Sequence, residues 1–343
     1  MIHLNDPRHR LLETATPLQR LSRLEARTGR AGLYLKRDDQ MDIAFGGNKL
    51  RSLEFWLGAA LAEGADMLLV AGGAMSNLCR LTAATAAMAG LDCVVFHNAP
   101  ADAASRDQAF LNRLFGAELR FLGAVGEDER EAAMRQAEQE FRAAGRRPYL
   151  VGDAVVGALG YVLAAEELWN QARAAGLALR HVFLAGSMGP TEAGFIFGNA
   201  LLGLPFAVHL VSVEYEEAEL AARTQLIYDG LARHTGCAVP AFATLGVTCH
   251  MDWLGAGYGE PTAEAERAIL TLARTEGILL EHVYTAKTFA ALLALATQGV
   301  LPDGEAAAMI HTGGVPALFS QFDLFRSLGP AGQDPASHDA WPR

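Results

Sequence analysis

Cysteine is scarce in this chain of 343 residues: Cys79, Cys93, Cys237 and Cys249 are all there is, and no two form a Cys-x-x-Cys pair. Paired Cys/His spacings are missing too, and Cys249 and His250, as chain neighbours, are badly placed to share one ion, so no metal site is expected. Unbridged thiols fit a reducing, cytoplasmic setting. Positive charge is short: 28 Lys and Arg against 39 Asp and Glu leave a formal charge of −11. That argues against nucleic acid and against anionic membrane surfaces as partners. No uninterrupted apolar run is long enough to span a bilayer. The stretch from Met1 to Arg10 carries Asp6, Arg8 and Arg10 without an apolar core, so it does not read as a signal peptide. No internal repeat or low-complexity segment stands out.

What is present is a globular composition, 51% apolar and 20% charged, laid out as short apolar strands alternating with helices. Strands are expected near Leu33, at Met67–Val70, Cys93–Phe96, Leu119–Leu122, Tyr149–Val151, His181–Ala185, Val208–Val213 and Ala308–Ile310. Helices are expected from Lys49 to Ala62, Ser76 to Met88, Ser105 to Phe115, Glu127 to Ala144, Tyr161 to Ala174, Glu192 to Leu201, Glu216 to His234, Glu264 to Glu276 and Thr288 to Ala296. Such alternation makes an α/β protein, with parallel sheets and helices on both faces. The pattern restarts midway without a linker. We therefore expect two interleaved domains, a large one of residues 1–52 and 159–343 and a small one of 53–158, with a small-molecule cleft between them. The Pro- and Gly-rich end from Gly329 to Arg343 is expected to be loosely ordered.

Six stretches carry chemistry. In Ala44-Phe45-Gly46-Gly47-Asn48-Lys49-Leu50-Arg51, a flexible turn delivers Lys49 to the start of a helix; by itself this lysine also reads as an ordinary surface residue. Gly186 to Gly194 joins a strand to a helix through Ser187, Met188, Gly189, Pro190 and Thr191. Free backbone N–H groups and a helix dipole there favour an anion. The stretch lacks the Walker and dinucleotide spacings, and a plain tight turn is the competing reading. Gly72-Gly73-Ala74-Met75-Ser76-Asn77 has the same strand-to-helix position, with Ser76 either a helix cap or a carboxylate donor. Tyr258 in Gly257–Pro261 and Tyr284 in Val283–Lys287 are each readable as packing residues. His311-Thr312-Gly313-Gly314 follows the last strand.

Together with Lys36-Arg37-Asp38-Asp39, these motifs stand in one order that resembles the D-cysteine desulfhydrase and 1-aminocyclopropane-1-carboxylate (ACC) deaminase family, over about residues 15–320. The resemblance implies a two-domain tryptophan-synthase-β-like fold (fold type II) and pyridoxal 5'-phosphate as cofactor. It implies that Lys49 carries the cofactor as a Schiff base, that Asn77 bonds its 3-hydroxyl, and that Ser187, Met188, Gly189 and Thr191 hold its phosphate. Ser76, Asn77 and Leu78 would line the substrate carboxylate side, Tyr258 and Tyr284 would flank the substrate, and Thr285 would meet the pyridine nitrogen. Lys49, Ser76 and Tyr284 are the expected catalytic residues, and a homodimer is the expected assembly.

One informative residue and two departures bear on the reaction. ACC deaminases resembling this chain carry glutamate where Thr285 stands. A threonine favours a neutral pyridine and expulsion of a β-substituent, as on the desulfhydrase side. The family's Gln-Ser-Asn-His or Gln-Ser-Asn-Gln reads Met75-Ser76-Asn77-Leu78 here, so the pocket should be less polar; Pro190 also removes one N–H from the loop. The expected activity is β-elimination, most simply C–S cleavage, from a small amino acid to give pyruvate and ammonia. Alternatives are ACC-deaminase-like ring opening, β-replacement by a second nucleophile, and a cofactor-binding protein that has lost catalysis.

Overall fold

The computed structural model describes residues 2–101 and 107–320. The start of the helix expected from Ser105 and the whole of Gly329–Arg343 lie outside them. Two sheets organise the described chain. The larger has the order β1-β2-β10-β7-β8-β9, from β1 (Leu18–Arg20), β2 (Leu33–Lys36), β7 (Leu179–Gly186), β8 (Ala207–Ser212), β9 (Thr248–His250) and β10 (Ala306–Ile310). Only β1 is antiparallel to its neighbour, with Leu18 opposite Lys36. The smaller has the order β5-β4-β3-β6, all parallel, from β3 (Met67–Ala71), β4 (Asp92–His97), β5 (Glu118–Phe121) and β6 (Pro148–Leu150). Central strands such as β10 are buried along their whole length, the mark of a sheet covered on both faces.

The helices do the covering. One face of the large sheet packs on α6 (Ala154–Ala174), α7 (Pro190–Leu201) and α8 (Glu217–Thr235). The other packs on α1 (Ser22–Thr28), α9 (Ala263–Glu276) and α10 (Thr285–Thr297). The small sheet lies between α2 (Lys49–Ala62) with α3 (Asn77–Ala89) on one side and α5 (Glu127–Ala143) on the other, while α4 (Asp107–Leu114) packs beside α3 and β5. No helix among the described residues is long and apolar enough to cross a membrane.

Four elements differ from expectation. Residues 18–20 form the edge strand β1 and residues 248–250 the short β9, neither among the expected strands; three residues leave no readable alternation. Helix α6 begins at Ala154 rather than Tyr161, with the Asp153 carboxylate accepting from Val155 N and Val156 N at 2.9 Å each. Its glycines look like helix breakers in sequence but serve close packing: a Cβ on Gly160 would stand 2.2 Å from the Arg51 carbonyl oxygen. That contact lets α6 lie directly on α2. Helix α10 begins at Thr285 rather than Thr288, because the Glu281 carboxylate takes the N–H groups of Val283, Tyr284 and Thr285 at 2.8–3.0 Å.

Candidate active site

The motifs follow the carboxyl ends of β2, β3, β7 and β10, where parallel sheets place their ligands. Lys49 is the first residue of α2. The turn before it holds Ala44, Phe45, Gly46 and Gly47 at φ of 47°, 68°, 63° and 123°, a left-handed run that costs free energy at the two non-glycines. The turn is pinned on several sides. Gly47 N donates to Asp38 O and Asn48 N to Thr312 O, both at 3.0 Å, and Asn48 Nδ2 donates to Thr191 Oγ1 at 2.9 Å. Below it, the Asp38 carboxylate receives Arg51 Nε and Nη2 at 2.8 Å, Thr16 Oγ1 at 2.7 Å and Tyr161 OH at 2.6 Å. Burial pushes the Asp38 carboxyl up, but the Arg51 charge and hydrogen bonds, then Lys36, outweigh it and hold the group at about 2. Glu167 bridges Arg51 and Lys36 in the same cluster.

Lys49 Nζ has no hydrogen-bond partner among the described residues. Burial pulls its pKa below the usual lysine range, and the charges of Glu192 and Glu214 pull part of the way back. An amine that loses its proton readily is what a lysine nucleophile or base requires.

The anion loop lies across from it. Gly189 takes φ 103°, and a Cβ there would stand 2.5 Å from Ile227 Cδ1, so only glycine closes this turn. Pro190 is the first residue of α7, where an N–H has no intrahelical partner and proline is well tolerated. Thr191 is buried beside Asn48. Met188 is 43% exposed, with its sulfur accepting from Tyr215 OH at 3.4 Å. The Ser187 hydroxyl bonds Glu214, and Ser187 N donates to the buried Glu192 carboxylate.

On the facing helix, Ser76 caps α3 by accepting from Cys79 N at 3.3 Å. Asn77 stands beside Gly314, where a Cβ would come within 3.3 Å of Asn77 Nδ2 and 2.8 Å of Glu281 Cγ. Leu78 packs against the small-sheet core. Tyr258 and Tyr284 share a hydrogen bond between their hydroxyls, and both phenols are pushed up by burial first. Lys287 Nζ holds the Tyr258 loop through Leu254 O at 2.8 Å and Gly257 O at 3.1 Å. The Thr285 hydroxyl accepts from Glu281 N at 2.9 Å and lies 3.0 Å from Glu281 Oε1.

The residues present fit a phosphorylated pyridine aldehyde: a loop and helix end built for an anion, tied by Asn48 and Thr191 to the helix start that bears Lys49, a lysine whose pKa burial lowers. Sequence reading missed Arg80, Glu192, Glu214 and Glu281. Glu192 stood inside a quoted motif and Glu281 four residues before Thr285, but neither position has meaning until the chain folds back on it.

Comparison with known proteins agrees with this chemistry. A family profile described as "Pyridoxal-phosphate dependent enzyme" matches residues 9–313. A D-cysteine desulfhydrase of Serratia proteamaculans (strain 568) is 37% identical over 324 residues, covering 92% of this chain and 96% of its own. One of Yersinia pestis (strain Pestoides F) is 39% identical over 323 residues with the same coverage, 92% and 96%. A solved ACC deaminase homologue matches with a TM-score of 0.86 at 30% identity, over 95% of this chain and 97% of its own. Diaminopropionate ammonia lyase of Escherichia coli, at 15% identity and a TM-score of 0.65 over 92% and 86% of the two chains, shares the fold.

Proposed function

This chain belongs to the family of pyridoxal-phosphate dependent enzymes, and from that premise we propose that it is a lyase cleaving the β-carbon–sulfur bond of a small amino acid. Its cofactor is pyridoxal 5'-phosphate and its fold is the type II, tryptophan-synthase-β-like one. With cysteine as substrate, one water enters and pyruvate, ammonia and hydrogen sulfide leave, which balances. The relatives named D-cysteine desulfhydrase support this activity. Within the molecule, the observation that carries it is the Asn48–Thr191 hydrogen bond, which ties the helix start bearing Lys49 to the anion loop.

When bound, the cofactor draws electrons from the substrate α-carbon. Lys49 would carry it and, once free, hold the α-proton; its lowered pKa suits both tasks. Ser187, Met188, Gly189 and Thr191 would bind the phosphate, and Asn77 the 3-hydroxyl. The α3 end with Ser76 would hold the substrate carboxylate beside Leu78. The Tyr258–Tyr284 pair would flank the substrate, with Tyr284 passing a proton to the leaving sulfur. Thr285 would meet the pyridine nitrogen. Its hydroxyl proton lies toward Glu281 and not toward the site, which supports a weakly held, neutral ring.

The division into 1–52 with 159–343 and 53–158 is supported by sheet membership, with α2 and α6 running across the boundaries. A cytoplasmic homodimer acting on a free amino acid is the matching assembly; exposed Met88, Phe110, Leu114 and Phe319 support a covered face. The deciding experiment is a screen of D- and L-amino acids for pyruvate release with the visible absorbance followed in parallel. Release from a cysteine or S-substituted cysteine is expected. ACC turnover without C–S cleavage would move the assignment to ring opening, and a cofactor band that no amino acid perturbs would remove the enzyme reading.

A further inference from the structure

Glu192 is the third residue of α7 and is 3% exposed. Its carboxylate accepts from Ser187 N and lies against the N–H groups of Gly189 and of Glu192 itself. These are donors of the same loop that offers itself to a phosphate. The charged groups facing it are Lys49 from α2 and Glu214 from the segment after β8, the latter bonded to the Ser187 hydroxyl. Arg223, on the neighbouring α8, is turned away to Glu219 and lies over the Tyr215 ring. Asn48 and Thr191 add neutral polar groups. The anion cradle is therefore already taken up by an acidic side chain of the chain itself.

Resting on the reading that residues 187–191 bind the cofactor phosphate, we propose that Glu192 is an internal competitor for that phosphate. Its carboxylate must take up a proton or swing out before the phosphate seats. Two anions cannot share one set of N–H donors in a buried site without a large repulsive cost, and the weaker acid gives way by protonation. Burial raises the Glu192 pKa, against the pull of the N–H groups and Lys49, which is the direction that favours this proton uptake. The consequence is specific to phosphate: cofactor capture is coupled to proton uptake, and the chain holds its cofactor less tightly than its donors alone allow.

A plainer role exists. A glutamate at the third helical position, reaching back to the N-terminal N–H groups, is a capping-box residue. Glutamine caps equally well, so Glu192→Gln removes the charge and keeps the cap. The test titrates apoprotein of wild type and Glu192→Gln with pyridoxal 5'-phosphate and with pyridoxal, which lacks the phosphate, and melts both apoproteins. The preference for the phosphorylated aldehyde is expected to rise about tenfold or more in the variant at pH 8, with pyridoxal affinity within about twofold of wild type. Calorimetry of wild type in two buffers of different ionisation enthalpy is expected to show proton uptake with the phosphorylated aldehyde that pyridoxal does not cause and the variant lacks. An unchanged or reduced preference, with equal melting temperatures, overturns the proposal and leaves a cap. Should the variant melt far below wild type, the wild-type calorimetry decides alone, and absence of extra proton uptake overturns it. If wild type binds both aldehydes equally, the loop does not hold the phosphate and the underlying reading fails with it.

Discussion

Arg80 Nη2 donates to Asn77 Oδ1 at 3.1 Å, within α3, from a side chain with no exposed surface. The same guanidinium bonds Ala44 O, Gly46 O at 3.3 Å, and Gln108 Oε1 at 2.7 Å. One buried cation thus fixes the Asn77 amide and clamps the left-handed turn that delivers Lys49. Burial lowers its pKa to about 10, so it remains charged at neutral pH.

Arg80→Met should therefore release the turn and the amide together. Stranding the carbonyl groups of Ala44 and Gly46 and losing the charge-assisted bonds should cost about 2–5 kcal/mol of folding stability, measured by denaturant titration. Arg80→Lys should recover part of that stability but not the Asn77 orientation, because one ammonium cannot fork to both carbonyls and the amide. Cofactor affinity in the lysine variant should stay below wild type; full recovery would mean the fork has no role in the site.

Lys49→Ala should abolish turnover and the visible band of lysine-bound cofactor while leaving far-ultraviolet circular dichroism unchanged. Combined Ser187→Ala and Thr191→Ala should weaken cofactor binding by about 1–3 kcal/mol, the scale of lost hydrogen bonds to a charged group. Activity retained in the first variant, or affinity retained in the second, would relocate the lysine or the phosphate.

Substrate choice should follow Met75 and Leu78. A polar β-substituent buried without a partner loses about 1–3 kcal/mol, whereas each buried methylene of a thioether gains about 0.8 kcal/mol. S-alkyl cysteines should show higher kcat/KM than cysteine or cysteate. Met75→Gln with Leu78→His should move preference toward the polar substrates. A wild type that prefers cysteate would sink this reading of the pocket.

Acid stability should carry the imprint of three linked imidazoles. His181 Nδ1 lies 3.0 Å from His209 Nε2, and His209 Nδ1 lies 2.9 Å from His250 Nε2. Burial, then the neighbouring His250 and His181, lowers the His209 pKa to about 3. The unfolded chain takes up this proton near its ordinary value of about 6.5 and the folded chain does not. Stability contributed by His209 is thus present above about 6.5 and declines as pH falls toward 3, at no more than about 1.4 kcal/mol per pH unit. His209→Phe, stacked on Phe183 as the imidazole is, should flatten that slope. Parallel slopes in urea titrations between pH 6 and pH 4 would show that His209 does not titrate this way.

The strand–helix alternation was legible in the sequence because it is a local property: apolar runs of strand length, helical periodicity, and glycines such as Gly64, Gly90 and Gly277 ending α2, α3 and α9. The motif order carried the cofactor and the reaction class, since each motif is a short backbone device with its chemistry written into adjacent residues. Tertiary structure alone decided which charges meet. Glu192 faces Lys49, Glu214 reaches Ser187 from the segment after β8, and Arg80 closes on a turn more than thirty residues earlier. Glycines 157 and 160 have their use only where α2 lies on them, at Trp56 and at the Arg51 carbonyl. The physical reason is the same in each case. Hydrogen bonding along the chain has a fixed period that sequence displays, whereas the desolvation and pairing of a charge depend on which groups the folded chain brings within a few ångströms of it.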